Sequence, residues 1–163
     1  MLIRIKNKER LIFDEFIFKC SSGQKGIRSK KIEGDKCTPK GTFELGKVYY
    51  RPDRVKKPFT RFKVKSITKN MGWCDDPLNK NYNKEIFLNK KNKGEKLFRK
   101  DSIYDIFIVI NYNTKKVKPF KGSAIFIHLT KNYNPTQGCI ALKKNDLLVL
   151  LKVINPKTKI KIY

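Results

Sequence analysis

The sequence predicts a mostly β fold, a sandwich or small barrel of mixed strands with one or two short helices. Short apolar runs rich in Ile, Val, Phe and Tyr recur along the chain. Several alternate in polarity, as half-buried strands do. Clusters of Gly, Pro, Asn and Asp separate them and mark turns.

In chain order the strand candidates are "LIRIK", "LIFDEFIFKC", "GTFELGKVYY", "RFKVKSI", "EIFLN", "YDIFIVINYN", "SAIFIHL" and the closing "TKIKIY". The turn clusters between them include "SSGQKG", "EGDKCTPKG", "RPDR", "CDDPLNKNYN", "KNKGE" and "NYNPTQG". One segment reads as a helix. Leu147, Leu148, Leu151 and Ile154 recur at helical spacing, Asn145 or Asp146 can cap it, and Pro156 stops it. At 163 residues, with 39% hydrophobic and 12% aromatic content, the chain suits one domain, 1–163, with an ample core.

Charge is the outlier: 39 Lys+Arg against 14 Asp+Glu, a net charge of +25. Such a field attracts polyanions but says nothing about fold. The cations are mostly Lys and spread along the whole chain, which favours a solvated surface over a dedicated nucleic-acid arm. Nonspecific attraction to anionic polymers follows either way. The runs "KKNKGEKLFRK" and "NTKKVKPFKG" read as solvated loops.

Cys20, Cys37, Cys74 and Cys139 show no C-x-x-C spacing, and with a single histidine they make no plausible zinc set. No metal is expected. Arg4, Lys6, Lys8, Asp14 and Glu15 interrupt the first apolar residues, so no secretory signal is read there, and no stretch reaches membrane-spanning length.

The one histidine, His128, lies near the end of the strand "SAIFIHL". Alternation puts Ala124, Phe126 and His128 on one face and Ile125, Ile127 and Leu129 on the other. The excursion "NYNPTQG" then returns the chain to Cys139, which can come back beside the end of that strand. The chemistry calls for such a pair. A thiol is mostly protonated at neutral pH, and an imidazole within reach supplies the thiolate and can later protonate a leaving amine. Gly138 permits a tight turn whose N–H groups can face the oxygen of a tetrahedral intermediate. The plainer reading, a satisfied strand histidine and a small buried thiol, stays open at this point.

The pattern His128 … Thr136-Gln137-Gly138-Cys139-Ile140 resembles the catalytic signature of the YkuD-type L,D-transpeptidases. Upstream, "EGDKCTPKGTFEL" resembles that family's Thr-Pro-x-Gly-x-Phe element, here Thr38, Pro39, Gly41 and Phe43. The segments "YYRPDR", "GWCDDPLNKNYN" and "GSAIFIHL" are similar to a compact proteobacterial branch, so the likeness runs from about Gly23 to Leu151.

The resemblance implies one L,D-transpeptidase-like catalytic domain that acts on peptidoglycan stem peptides without a metal or organic cofactor. Cys139 would be the nucleophile, His128 the base, and the N–H groups at Gly138 and Cys139 the oxyanion donors. The thioester would pass to a second stem, to a free D-amino acid or to water, the last being an L,D-carboxypeptidase. A basic nucleic-acid-binding module without catalysis is the rival from another class. The resemblance also implies a cell-envelope or periplasmic location, although no export signal is read, so the cytoplasm stays open. The chain is expected to be a monomer.

Many relatives carry Arg or Asn two residues after the cysteine, where this chain has Ala141. Arg28, Arg51, Arg54 and Lys143 are the candidates to replace it. The His–Cys interval is also short, which reduces the pocket wall. Tyr133 and Thr136 lie between base and nucleophile and are expected at the substrate. Trp73 and Tyr82 either line a groove or pack in the core. Asp75 and Asp76, before Pro77, read as an Asx turn ahead of chemistry. Cys37 and Cys74 are expected to be structural. Activity should fall on the acid side as His128 gains a proton, and a flat profile from about pH 5 to 8 would count against that base.

Overall fold

The computed structural model describes residues 1–29 and 31–163. The strands are β1 Leu2–Lys6, β2 Arg10–Phe13, β3 Phe16–Ser21, β4 Ile27–Arg28, β5 Thr38–Pro39, β6 Gly41–Tyr50 and β7 Val64–Ser66. They continue as β8 Met71–Trp73, β9 Glu85–Phe87, β10 Glu95–Lys96, β11 Ile106–Ile110, β12 Phe126–Leu129, β13 Ile140–Leu142 and β14 Lys159–Ile162. The helix α1 spans Lys144–Val153 and is the one α-helix among the described residues. The expected fold class is borne out.

The main sheet closes on itself. Its nine strands run β11-β12-β13-β3-β2-β1-β14-β6-β7, and β11 also pairs with β6. Two strands make the closure by changing partners along their length. In β6, Gly41 to Glu44 pair with β14, and Leu45 to Tyr50 pair with β11. In β3, Phe16 to Lys19 pair with β2, and Cys20 and Ser21 pair with β13. The run "LIFDEFIFKC" is therefore a hairpin and not one strand. Asp14, at φ 48°, adopts the left-handed conformation that the tight turn requires.

Two apolar clusters result. Ile3, Ile5, Leu11, Ile108, Ile127, Leu142 and Ile160 fill the barrel, closed at one end by Leu147, Leu150 and Leu151 of α1. The second cluster lies on the outer face of β11 and β12, where Tyr49, Trp73, Tyr104, Phe107 and Phe126 pack together. The small sheet β10-β8-β9 contributes Trp73 to it. All of β11 is buried because it has a core on each side.

The helix starts before the expected cap. Lys143 is its N-cap and makes no side-chain cap bond, while Asp146 sits in the first turn, where a carboxylate suits the helix dipole. No helix among the described residues is long and apolar enough to cross a membrane.

Candidate active site

The strands β12 and β13 run parallel, with Ile127 opposite Ile140 and His128 opposite Ala141. One step back along both strands, Phe126 lies beside Cys139, and the Phe126 N–H reaches the sulfur at 3.3 Å. Strand alternation then puts His128 and Cys139 on the same outer face, as diagonal neighbours. Both line one cavity of about 520 Å³. Residues 130 to 137 bridge the two strands and supply Thr130, Asn134, Thr136 and Gln137 to its wall.

Glycines and threonines hold the nucleophile turn. Gly138 has φ 135°, and a Cβ there would stand 2.7 Å from the Cys37 carbonyl oxygen. Gly23 is pressed from the other side, since a Cβ would stand 2.6 Å from the Thr38 nitrogen. The Gly23 N–H donates to Thr38 Oγ1 at 2.8 Å, and Gly23 forms a parallel bridge with Thr136. The two sequence motifs thus meet across Gly23: Thr38 braces one side of it and Thr136 the other.

Thr136 Oγ1 donates to the Cys139 carbonyl at 2.6 Å and accepts from the Gly138 N–H at 3.1 Å. The Gly138 N–H is therefore already engaged at rest. Among the described residues the Cys139 N–H has no hydrogen-bond acceptor.

The thiol and the imidazole are both deeply set, at 8% and 6% exposure. Cys139 Sγ donates to the Ala124 carbonyl at 3.2 Å, so at rest its proton points at the backbone and not at His128. Burial, with the Glu95 carboxylate adding to it, pushes the thiol up to about 12. His128 Nδ1 lies 2.8 Å from the Leu129 carbonyl, an acceptor that fixes the proton on Nδ1 and leaves the Nε2 lone pair free. Burial pulls the imidazole down to about 4. The resting pair is neutral thiol and neutral imidazole, and the acid limb of any activity moves to near 4. That corrects the expectation of titration within pH 5 to 8.

Of the expected substrate residues, Thr136 lines the cavity, and Tyr133, Trp73, Tyr82 and Arg28 do not. The Tyr133 ring lies beneath the Lys19 ammonium. Trp73 is buried edge-on against Phe126 and Tyr49, with its Nε1–H donated to Asn83. Tyr82 is buried, and its hydroxyl donates to Glu33. Arg28 is exposed on β4. Arg51, Arg54 and Lys143, the other candidates to replace the residue at Ala141, also lie outside the cavity lining. Arg51 instead forks onto Asp53, and Arg54 reaches Asp105.

The cations that do line the cavity are Lys31, Arg99 and the exposed Lys131. Glu33, Asp75 and Glu95 are its carboxylates. Asp76 makes the expected turn, accepting from the Leu78 N–H, while Asp75 faces the cavity instead. The run "KKNKGEKLFRK" was expected to be solvated, yet Leu97 is fully buried and Glu95 and Arg99 turn inward. The apolar pair Leu97-Phe98 amid the charges is the signal that marks this segment. All four cysteines are free, and among the described residues no group of His, Cys, Asp and Glu could hold a metal.

The site is thus a closed β domain that presents a cysteine and a histidine, as diagonal neighbours, to one cavity. The chain belongs to the YkuD family: the L,D-transpeptidase catalytic domain matches residues 2–162. It is thus a member of an L,D-transpeptidase-type family of peptidoglycan enzymes. Among solved structures it is similar to the helical cell shape determining protein Pgp2 from Campylobacter jejuni, at 20% identity and a TM-score of 0.52. The match covers 99% of this chain and 46% of that one, so the chain spans about half the length of that protein. No curated protein matches the sequence.

Proposed function

We propose that this domain is a cysteine acyl-transferase acting on peptidoglycan stem peptides. The observation that carries the reading is the placement of Cys139 and His128 on one face of the paired strands β12 and β13, at one cavity. Substrate would draw the S–H away from the Ala124 carbonyl toward His128 Nε2. His128 takes that proton as the sulfur attacks the carbonyl between the L-centre of the diamino acid and the following D-residue. The Phe126 N–H already at the sulfur stabilises the developing negative charge. The Cys139 N–H receives the oxyanion, because the Gly138 N–H is held by Thr136. The imidazolium then protonates the departing amine, leaving a thioester on Cys139 and a neutral base for the acceptor.

Transfer to an amine and transfer to water use the same site. Product masses with and without an added acceptor amine separate transpeptidase from carboxypeptidase. The nucleic-acid module leaves the cavity without a use. Through the stems it alters, the enzyme would contribute to cell shape, the role named for the Campylobacter protein.

The decisive experiment incubates the protein with purified tetrapeptide stems and measures intact mass. An acyl adduct on Cys139 and loss of the terminal D-residue are expected, both abolished in Cys139→Ala with the melting temperature retained. Full turnover by Cys139→Ala would sink the mechanism.

A further inference from the structure

The chain carries 39 basic residues against 14 acidic ones, yet Glu33, Asp75 and Glu95 all line the same cavity. Among the described residues none of the three forms a salt bridge, although the surface offers cations in excess. The cavity's own buried or half-buried cations are engaged elsewhere. Lys31, at 3% exposure, pairs with Asp35 at 2.8 Å, and Arg99 forks onto Asp101.

Neutral hydroxyls hold two of the carboxylates in place. Tyr82 and Ser123, both buried, donate to the same Glu33 oxygen, and Tyr104 donates to one oxygen of Glu95. The other oxygen of each has no partner among the described residues. Orienting a carboxylate with buried hydroxyls fixes its geometry without a direct ion pair, and Arg99 acts on Glu95 only through space.

The three also sense one another: Glu33 and Asp75 each add to the burial that raises Glu95, and Glu33 adds to the burial that raises Asp75. With Lys31 and Arg99 paired to Asp35 and Asp101, the three carboxylates outnumber the one cation left in the lining among the described residues, the exposed Lys131. That a ligand belongs here is marked independently by His128. It is more than nine-tenths buried and lines the same cavity, and its Nε2 has no partner among the described residues.

We propose that Glu33, Asp75 and Glu95 form a subsite for a primary ammonium group on the substrate, on the cavity wall shared with Cys139 and His128. The inference rests on the reading of this cavity as the substrate site. A bound ammonium has three donors, which suit the outward oxygens of such a carboxylate wall. It would add a direct ion pair to the through-space compensation that Arg99 gives Glu95. Within a protein of this charge, a cationic ligand needs a local inversion of field to enter, and the three carboxylates supply it.

The test uses two synthetic tetrapeptides, each with a diamino residue at the third position, one with the side-chain amine free and one with it acetylated. Binding to Cys139→Ala protein is measured by calorimetry. The free amine is expected to bind about tenfold or more tighter, as a charge-assisted hydrogen bond would give. In a Glu33→Gln, Asp75→Asn, Glu95→Gln background that preference is expected to fall to about twofold or less, with each single variant giving part of the loss should the triple variant fail to fold. Equal affinity for the two peptides, binding of neither, or a preference that survives all the variants overturns the proposal. Intact mass of the wild type separates this from the catalytic reading. Selective binding without a Cys139 adduct keeps the subsite and sinks the catalysis; equal binding of both peptides with an adduct does the reverse.

Discussion

The two faces of β12 differ in how their residues find partners. Inward, Ile125, Ile127 and Leu129 join the barrel cluster, where any apolar side chain of suitable volume would serve. Outward, Phe126 and His128 meet Trp73, Tyr104 and Cys139, which come from three separate stretches of chain. The inner face follows from hydrophobic patterning, while the outer face depends on where particular groups land. The strand's apolar side thus anchors the barrel, and its other side places His128 at the cavity.

The sharpest way to break this contrast is Phe126→Ala. Phe126 is fully buried and packs against Phe107, Trp73 and Tyr104. Denaturant unfolding should show a loss of about 3–5 kcal/mol, together with slower acylation of Cys139. An unchanged midpoint would mean that the outer cluster is no second core.

Acid comes next. The folded imidazole titrates at about 4, below its ordinary 6.5. A depressed value means that the unfolded chain binds the proton first as pH falls. Stability is thus fully present above pH 6.5 and declines down to about pH 4. The loss attributable to His128 is on the order of 3 kcal/mol, and His128→Asn should remove that part of the slope. Over the same interval the acylation rate per folded molecule should stay level, with its acid limb near pH 4.

Ile127→Val probes the inner face alone. It should cost about 1 kcal/mol in unfolding free energy and leave the acylation rate unchanged. A large drop in rate would show that the two faces are not independent.

The smallest effect has the opposite sign. Burial raises Glu95, so ionising it opposes folding. Glu95→Gln keeps an acceptor for Tyr104 and should stabilise the fold by about 0.5 kcal/mol at neutral pH, read as a rise in melting temperature. A fall would mean that its charge supports the structure.

The sequence exposes these levels unevenly. The strand limits 2–6 and 41–50 and the alternation along β12 are legible because a half-buried strand writes its period directly into polarity. The Gly-Cys and Thr-Pro-x-Gly elements are legible as motifs, but their meeting across Gly23 is not, because no local pattern encodes that contact. Short strands such as β8 and β10 have too few residues to show a period. Glu33, Glu95, Arg99 and Lys31 stay hidden for a different reason. Charged residues within turn-rich, lysine-rich stretches read as solvent-facing unless long-range packing turns them inward.

The burial of the Cys139 sulfur, with the Glu95 carboxylate nearby, bears on chemical longevity. Peroxides and disulfides attack thiolates, and a sulfur with a pKa of about 12 holds only about one thiolate in a hundred thousand at neutral pH. At rest this thiol is a poor target for oxidants, and on the proposed mechanism its reactivity would emerge only in molecules with a peptide bound.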